Sequence, residues 1–213
     1  MEPDLKSILG RLRKKAETPT DSEAPDSMMF TTAFQELGVD ASLLIPWDSR
    51  ALEVGARPLV PARGTELLQA LWAKDKYMSL LDAVAIARME RYLDFCRVPP
   101  NQDIIRQDEY GNFMVVILTG FVAVDRLQPW GERLRLAETR PGEILGEMSL
   151  LDSGIRFSAC STLSDCDIAV LGADAMDDML NSDPTLAANL IALLARKLSL
   201  RLRVVSARLS DKK

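Results

Sequence analysis

The stretch from Gly146 to Ala159 reads GEMSLLDSGIRFSA, and its residue types and spacing suit the capture of a small cyclic phosphate. Gly146 and Glu147 open what should be one short helical turn, and Arg156 follows ten positions after the glycine. The first amides of a helix have no partner inside it, so the N–H groups at the start of Met148–Leu151 face an anion. Arg156 adds a planar, permanently charged fork for phosphate oxygens. Glu147, when ionised, only accepts hydrogen bonds, which suits a donor such as a ribose 2′-hydroxyl. Ser149, Phe157 and Ser158 complete the segment. Phosphate is read on one side and sugar on the other.

Composition narrows the chemistry further. The 213 residues, 47% of them hydrophobic, suffice for one domain with appendages. The formal net charge of −5 lacks the basic footprint of a nucleic-acid binder, so DNA is not an expected partner. Histidine is absent altogether. That removes the usual ligands of a cupin-type metal centre, and Ser-His or Cys-His nucleophile pairs with them, so neither an enzyme nor a metal is expected. The common nucleotide loops, G-x-x-x-x-G-K-[ST] and G-x-G-x-x-G, do not occur. No apolar run is long enough for a membrane span, and the N-terminus carries no secretory pattern. Cys96, Cys160 and Cys166 have no metal spacing and read as reduced thiols of a cytoplasmic protein. Cys160 and Cys166 are expected near each other across one hairpin, as half-buried strand residues or as a redox pair.

The elements that must position this segment fall into three regions. Residues 1–60 read as a flexible or irregular extension. Within them, Leu5, Ile8, Leu9 and Leu12 recur at helical spacing among basic residues, so residues 5–15 could touch a membrane surface or a partner weakly; the plain alternative is a solvated, frayed helix. Residues 16–27 have linker composition, and residues 30–63, with four prolines or tryptophans among apolar residues, suggest an extended wrap. Residues 61–97 form a helical lead-in, with Leu67, Leu68, Leu71, Trp72, Met78, Leu81, Ala85 and Met89 predicting one helix over 65–92. Residues 98–213 hold short strands over 104–106, 114–118, 122–126, 134–138, 157–161 and 168–171, separated by turn signals. The fold class is therefore α+β: an antiparallel, jelly-roll-like β-roll with flanking N-terminal helices and a long C-terminal helix.

That last helix should start at Asp183-Pro184, with aspartate as N-cap and proline in the first turn. Ile191, Ala195, Leu198, Leu202, Val205 and Leu209 step by alternating fours and threes, an a/d seam suited to a second copy of the chain; the alternative is packing on its own domain alone. Arg201 flanks the seam. It could stack on a base or pair with a guanine edge, or it could stay solvated.

These residues resemble the cyclic nucleotide-binding domain family, the module of catabolite activator proteins and of cAMP-dependent protein kinase regulatory subunits. Gly146, Glu147, Ser149, Leu150, Leu151, Arg156 and Ser158 carry the likeness, together with Asp103–Gln107, Gly111-Asn112, Val115–Gly120 and Val122–Val124 upstream. It covers roughly residues 88–210. The resemblance implies that Glu147 binds ribose, Arg156 the cyclic phosphate, and backbone amides the rest. Two positions depart from it: Ile155 stands where proline is frequent, and Phe157 where a small residue is usual. A threonine there would hold guanine, so Phe157 disfavours cGMP. The adenine contact known on the family's long helix maps to Arg201 and Leu202, so it is missing in its usual form. cAMP is the expected ligand and cyclic di-GMP the alternative, with a scaffolding domain that no longer binds ligand as a third reading. The segment ending at Lys213 leads one to expect a stand-alone bacterial-type sensor without a DNA-binding domain, signalling to an unidentified downstream protein.

Overall fold

The computed structural model describes residues 28–210, with the side chains of 208 and 209 excepted. The basic segment 5–15 and the linker 16–27 lie outside the described residues. Nine strands and seven α-helices follow in chain order among those described: α1 (Met29–Glu36), α2 (Trp47–Glu53), β1 (Arg57–Pro58), α3 (Pro61–Trp72), α4 (Ala83–Met89), β2 (Asp94–Val98), β3 (Asp103–Ile105), β4 (Phe113–Ile117), β5 (Val122–Leu127), β6 (Arg133–Thr139), β7 (Ile144–Leu145), α5 (Glu147–Asp152), β8 (Ala159–Thr162), β9 (Cys166–Gly172), α6 (Ala173–Ser182) and α7 (Pro184–Ser210).

The strands form two antiparallel sheets, ordered β1-β2-β9-β4-β7 and β3-β8-β5-β6. The expected α+β roll with flanking N-terminal helices and a long C-terminal helix is what the chain adopts. Its central strands are apolar on both faces because each face meets a different core. In β4, Phe113, Val115 and Ile117 point between the sheets, while Met114 and Val116 point toward the helices. In β9, Cys166, Ile168 and Val170 join the inter-sheet core, and Ala169 and Leu171 the helical one. Alternate side chains of a strand point to opposite faces, so a strand buried on both must be continuously hydrophobic.

Several expectations need correction. The helix over 65–92 is two helices. Asp75 turns the chain by accepting from the N–H groups of Tyr77 and Met78 (2.8 and 2.9 Å), and Asp82 N-caps α4 through Ala85 N–H at 2.7 Å. Each side chain offers the backbone a local alternative to helix continuation. Residues 94–97, placed in the helical lead-in, form β2 together with Val98, and that strand pairs along its whole length with β9. The extended wrap over 30–63 contains α1 and α2, and Phe30, Phe34, Trp47 and Val54 are buried, so residues 28–60 are not an irregular extension. Cys160 sits on β8 in the four-stranded sheet and Cys166 on β9 in the five-stranded sheet, so no hairpin joins them; all three cysteines are free and buried. The strand expected from Phe157 starts at Ala159.

The start of α7 matches its sequence signal: Pro184 occupies the first turn and Asp183 Oδ1 accepts from Leu186 N–H at 3.3 Å. Its first half closes the helical core through Leu186, Ala187, Leu190, Leu193 and Leu194. Beyond that, the seam residues are not covered: Leu202 and Val205 are 67% and 52% exposed.

Candidate functional site

The cassette helix α5 begins at Gly146, whose φ of +75° is left-handed. A side chain there would be strained, and its Cβ would lie 2.5 Å from Arg156 Nη1. Gly111, on the opposite loop, is bare for a similar reason: a Cβ would lie 2.8 Å from Arg156 Nε. Two glycines thus make room for one guanidinium.

Arg156 is only 3% exposed. Nη1 donates to Gly146 O at 2.8 Å and Nη2 to Phe113 O at 2.6 Å, and the guanidinium lies 4.6 Å from the Phe113 ring centroid. No carboxylate pairs with it within 4 Å among the described residues. Burial lowers its pKa from 12.5 to about 10, so it stays cationic at neutral pH. A buried cation without an ion-pair partner at the N-terminal end of a helix is costly to the fold and attractive to an anion.

Nine residues before Arg156, Glu147 is also buried, at 6% exposure. Its Oε1 accepts from Arg201 Nη1, and Arg201 Nη2 reaches Ile144 O at 3.4 Å. Arg201 is therefore engaged by Glu147 at the start of α5, rather than standing free. One turn earlier on the same face of α7, Lys197 pairs with Asp75 at 3.1 Å. Burial works upward on Asp75, but the N–H groups of Met78 and Tyr77 and the Lys197 ammonium outweigh it and leave its pKa below the usual carboxylate value. The Arg201 pair thus ties α7 to the cassette, and the Lys197 pair ties it to the turn after α3.

Between α5, the roll and α7 lies a cavity of about 700 Å³. Gly146, Glu147, Met148, Ser149, Arg156, Phe157, Ser158 and Arg201 all line it, so the structure brings every site residue expected from the sequence to one place. Ser149 is buried, whereas Met148 and Phe157 are about half exposed. The Phe157 ring is covered by Arg126 at 3.9 Å, and its carbonyl accepts from Arg126 Nη1. The sequence reading missed Tyr77, Leu136, Thr139, Glu143, Cys160, Lys197, Leu200 and Val204, which line the same space. Lys197 alone had a local signal, its spacing of four from Arg201 on a helix; the others arrive through tertiary contacts.

Residues 95–183 match the family model for the cyclic nucleotide-binding domain. A cyclic AMP receptor protein of Thermus thermophilus is 34% identical over 100 residues, 47% of this chain and 46% of that protein. The chain spans about half the length of the curated relatives it matches. Among solved structures, a cyclic nucleotide-binding domain from Methylobacillus flagellatus superposes with a TM-score of 0.66 at 25% identity, over 74% of this chain and 89% of that one. The Thermus thermophilus catabolite activator protein gives 0.52 at 28% identity, over 64% and 63%. The matched span begins in β2 and ends just before α7, taking in the cassette and every strand but β1, so it is residues 95–183 that are similar to the cyclic nucleotide-binding domain family.

Proposed function

We propose that this chain is a non-catalytic sensor that binds cAMP in the cavity between α5, the roll and α7, and signals by a change in the seating of α7. The observation that carries the reading is Arg156: a cation 3% exposed, beside a cavity, whose guanidinium hydrogen-bonds two backbone carbonyls and forms no ion pair among the described residues. A cyclic phosphate would supply the missing counter-charge, with the first-turn amides of α5 adding donors. Glu147, at the sugar end, would accept from the ribose 2′-hydroxyl while keeping Arg201 on its other lone pairs. The ligand would then touch both the cassette and the ion pair that seats α7, and its extra affinity for the closed form would set the equilibrium. A receptor protein and a catabolite activator protein among the relatives support a regulatory role.

A mononucleotide is favoured over cyclic di-GMP because Arg201 is already engaged by Glu147. The exposed outer half of α7, with Leu202, Val204 and Val205 each more than half exposed, supports a homodimer through this helix. Titration calorimetry of the purified chain with cAMP, cGMP and cyclic di-GMP tests the reading. Micromolar binding of cAMP at one site per chain is expected. Preference for cyclic di-GMP would transfer the site to the larger ligand, and silence with all three would leave a scaffolding domain.

A further inference from the structure

Helix α2 and the loop before it lie outside the matched residues 95–183, yet they reach the phosphate end of the cavity from behind. Arg156 is held by two supports, and α2 contacts both. The first support is the loop before β4. Arg156 N–H donates to Glu109 O at 2.8 Å, and Asp108 N–H donates back to Arg156 O at 2.9 Å. The Glu109 carboxylate accepts from Nη2 of Arg50, which is 1% exposed and also pairs with Glu53 at 2.6 Å. Arg106 ties the same two carboxylates from outside. The second support is Phe113, whose carbonyl and ring both meet the Arg156 guanidinium. Trp47, at the start of α2, packs edge-on against that ring with centroids 5.4 Å apart. The segment is fastened in register, because Ile45 N–H donates to Tyr110 O at 2.9 Å and Tyr110 in turn bridges to Ile155, the residue before Arg156.

We infer that α2 is part of the phosphate site, with Trp47 and Arg50 as positioning residues that fix Arg156 through Phe113 and Glu109. A buried arginine with two carboxylates is a stiff peg, whereas a loop free of it could slide by the ångström or so that decides whether a guanidinium meets its anion. Burial explains why the peg is specific: Arg50 has no water to replace a lost carboxylate, so the loop is held in one arrangement. The inference rests on the phosphate role of Arg156 proposed above, but its test separates the two.

The full chain, ¹⁵N-labelled, is compared with its Arg50→Met and Glu109→Gln variants, the second of which keeps the side-chain shape and guards against a folding failure of the first. The Arg156 Nε–Hε resonance, assigned by its loss in Arg156→Met, is followed without ligand. Both variants should shift and broaden it, and both should weaken cAMP binding about ten-fold, as loss of an outer supporting partner typically does. The double variant should lose no more than either single one, because the two residues act as one unit. An unmoved Arg156 resonance in a folded Glu109→Gln protein overturns the inference whether or not the wild type binds a nucleotide. A wild type that binds none, with the resonance still displaced in the variants, refutes the ligand assignment and leaves the positioning intact.

Discussion

Replacing Arg156 by methionine should separate binding from stability. In the folded chain this guanidinium makes two charge-assisted hydrogen bonds, to Gly146 O and Phe113 O. Removing it bares the buried Phe113 carbonyl, costing about 1–3 kcal/mol, whereas Gly146 O keeps Leu150 N–H at 3.4 Å. The same change relieves a buried charge. The fall of its pKa from 12.5 to about 10 corresponds to roughly 3 kcal/mol disfavouring the cation. The terms nearly offset, leaving stability within about 2 kcal/mol of the wild type. For a chain of this size that moves Tm by at most roughly 8 °C. Binding has no such offset, because the phosphate loses a charge-assisted contact of about 1.5–3 kcal/mol, or roughly 10- to 150-fold in affinity. Thermal melts without ligand and calorimetric titration with cAMP read the two quantities on one sample. A melt close to that of the wild type with binding lost supports the reasoning. Unchanged affinity would show that Arg156 is not the anion contact, and a collapse of the fold would show that its charge is compensated in a way the geometry does not provide.

Three further outcomes follow from the same geometry. Gly146→Ala places a Cβ at positive φ against Arg156 Nη1 and Ile105 Cδ1, so it should lower stability by about 1–2 kcal/mol in denaturant titration and weaken cAMP with it. Glu147→Gln should weaken cAMP about ten-fold but change 2′-deoxy-cAMP little, and equal losses for the two ligands would remove Glu147 from the sugar. The Arg156 pKa of about 10 lies below its unfolded value of 12.5. Burying its charge therefore costs stability below pH 10, and that cost fades as pH rises from about 10 to 12.5. cAMP affinity should run the other way, flat from pH 7 to 9 and falling above about 10 while circular dichroism still reports a folded chain; a decline already at pH 8 would point to another group.

What the sequence revealed and what it hid have a common cause. The cassette was legible because its residues act on neighbours within ten positions, and the start of α7 because Asp183 and Pro184 act within one turn. The strands of the roll were legible from apolar runs between turn residues. The break between α3 and α4 was hidden because the apolar spacing continues across it, while Asp75 and Asp82 redirect the backbone through side-chain bonds. Strand β2 was hidden by its place between a helical pattern and Pro99-Pro100; its pairing with β9 spans about seventy residues. Helices α1 and α2 were hidden for the same reason. Asp177, far along the chain, accepts the N–H groups of Phe30 and Thr31 at the start of α1, and Glu109 anchors Arg50. Arg201 was legible as a residue near the site, but its partner was not, because Glu147 meets it only once α7 has folded over the cassette.

A crystal structure of the full chain grown with cAMP tests the central claim most directly. The account predicts the cyclic phosphate within hydrogen-bond distance of the Arg156 guanidinium and the α5 amides, with the ribose 2′-hydroxyl on Glu147 and α7 seated over the ligand. A nucleotide bound elsewhere, or a phosphate turned away from Arg156, would contradict it.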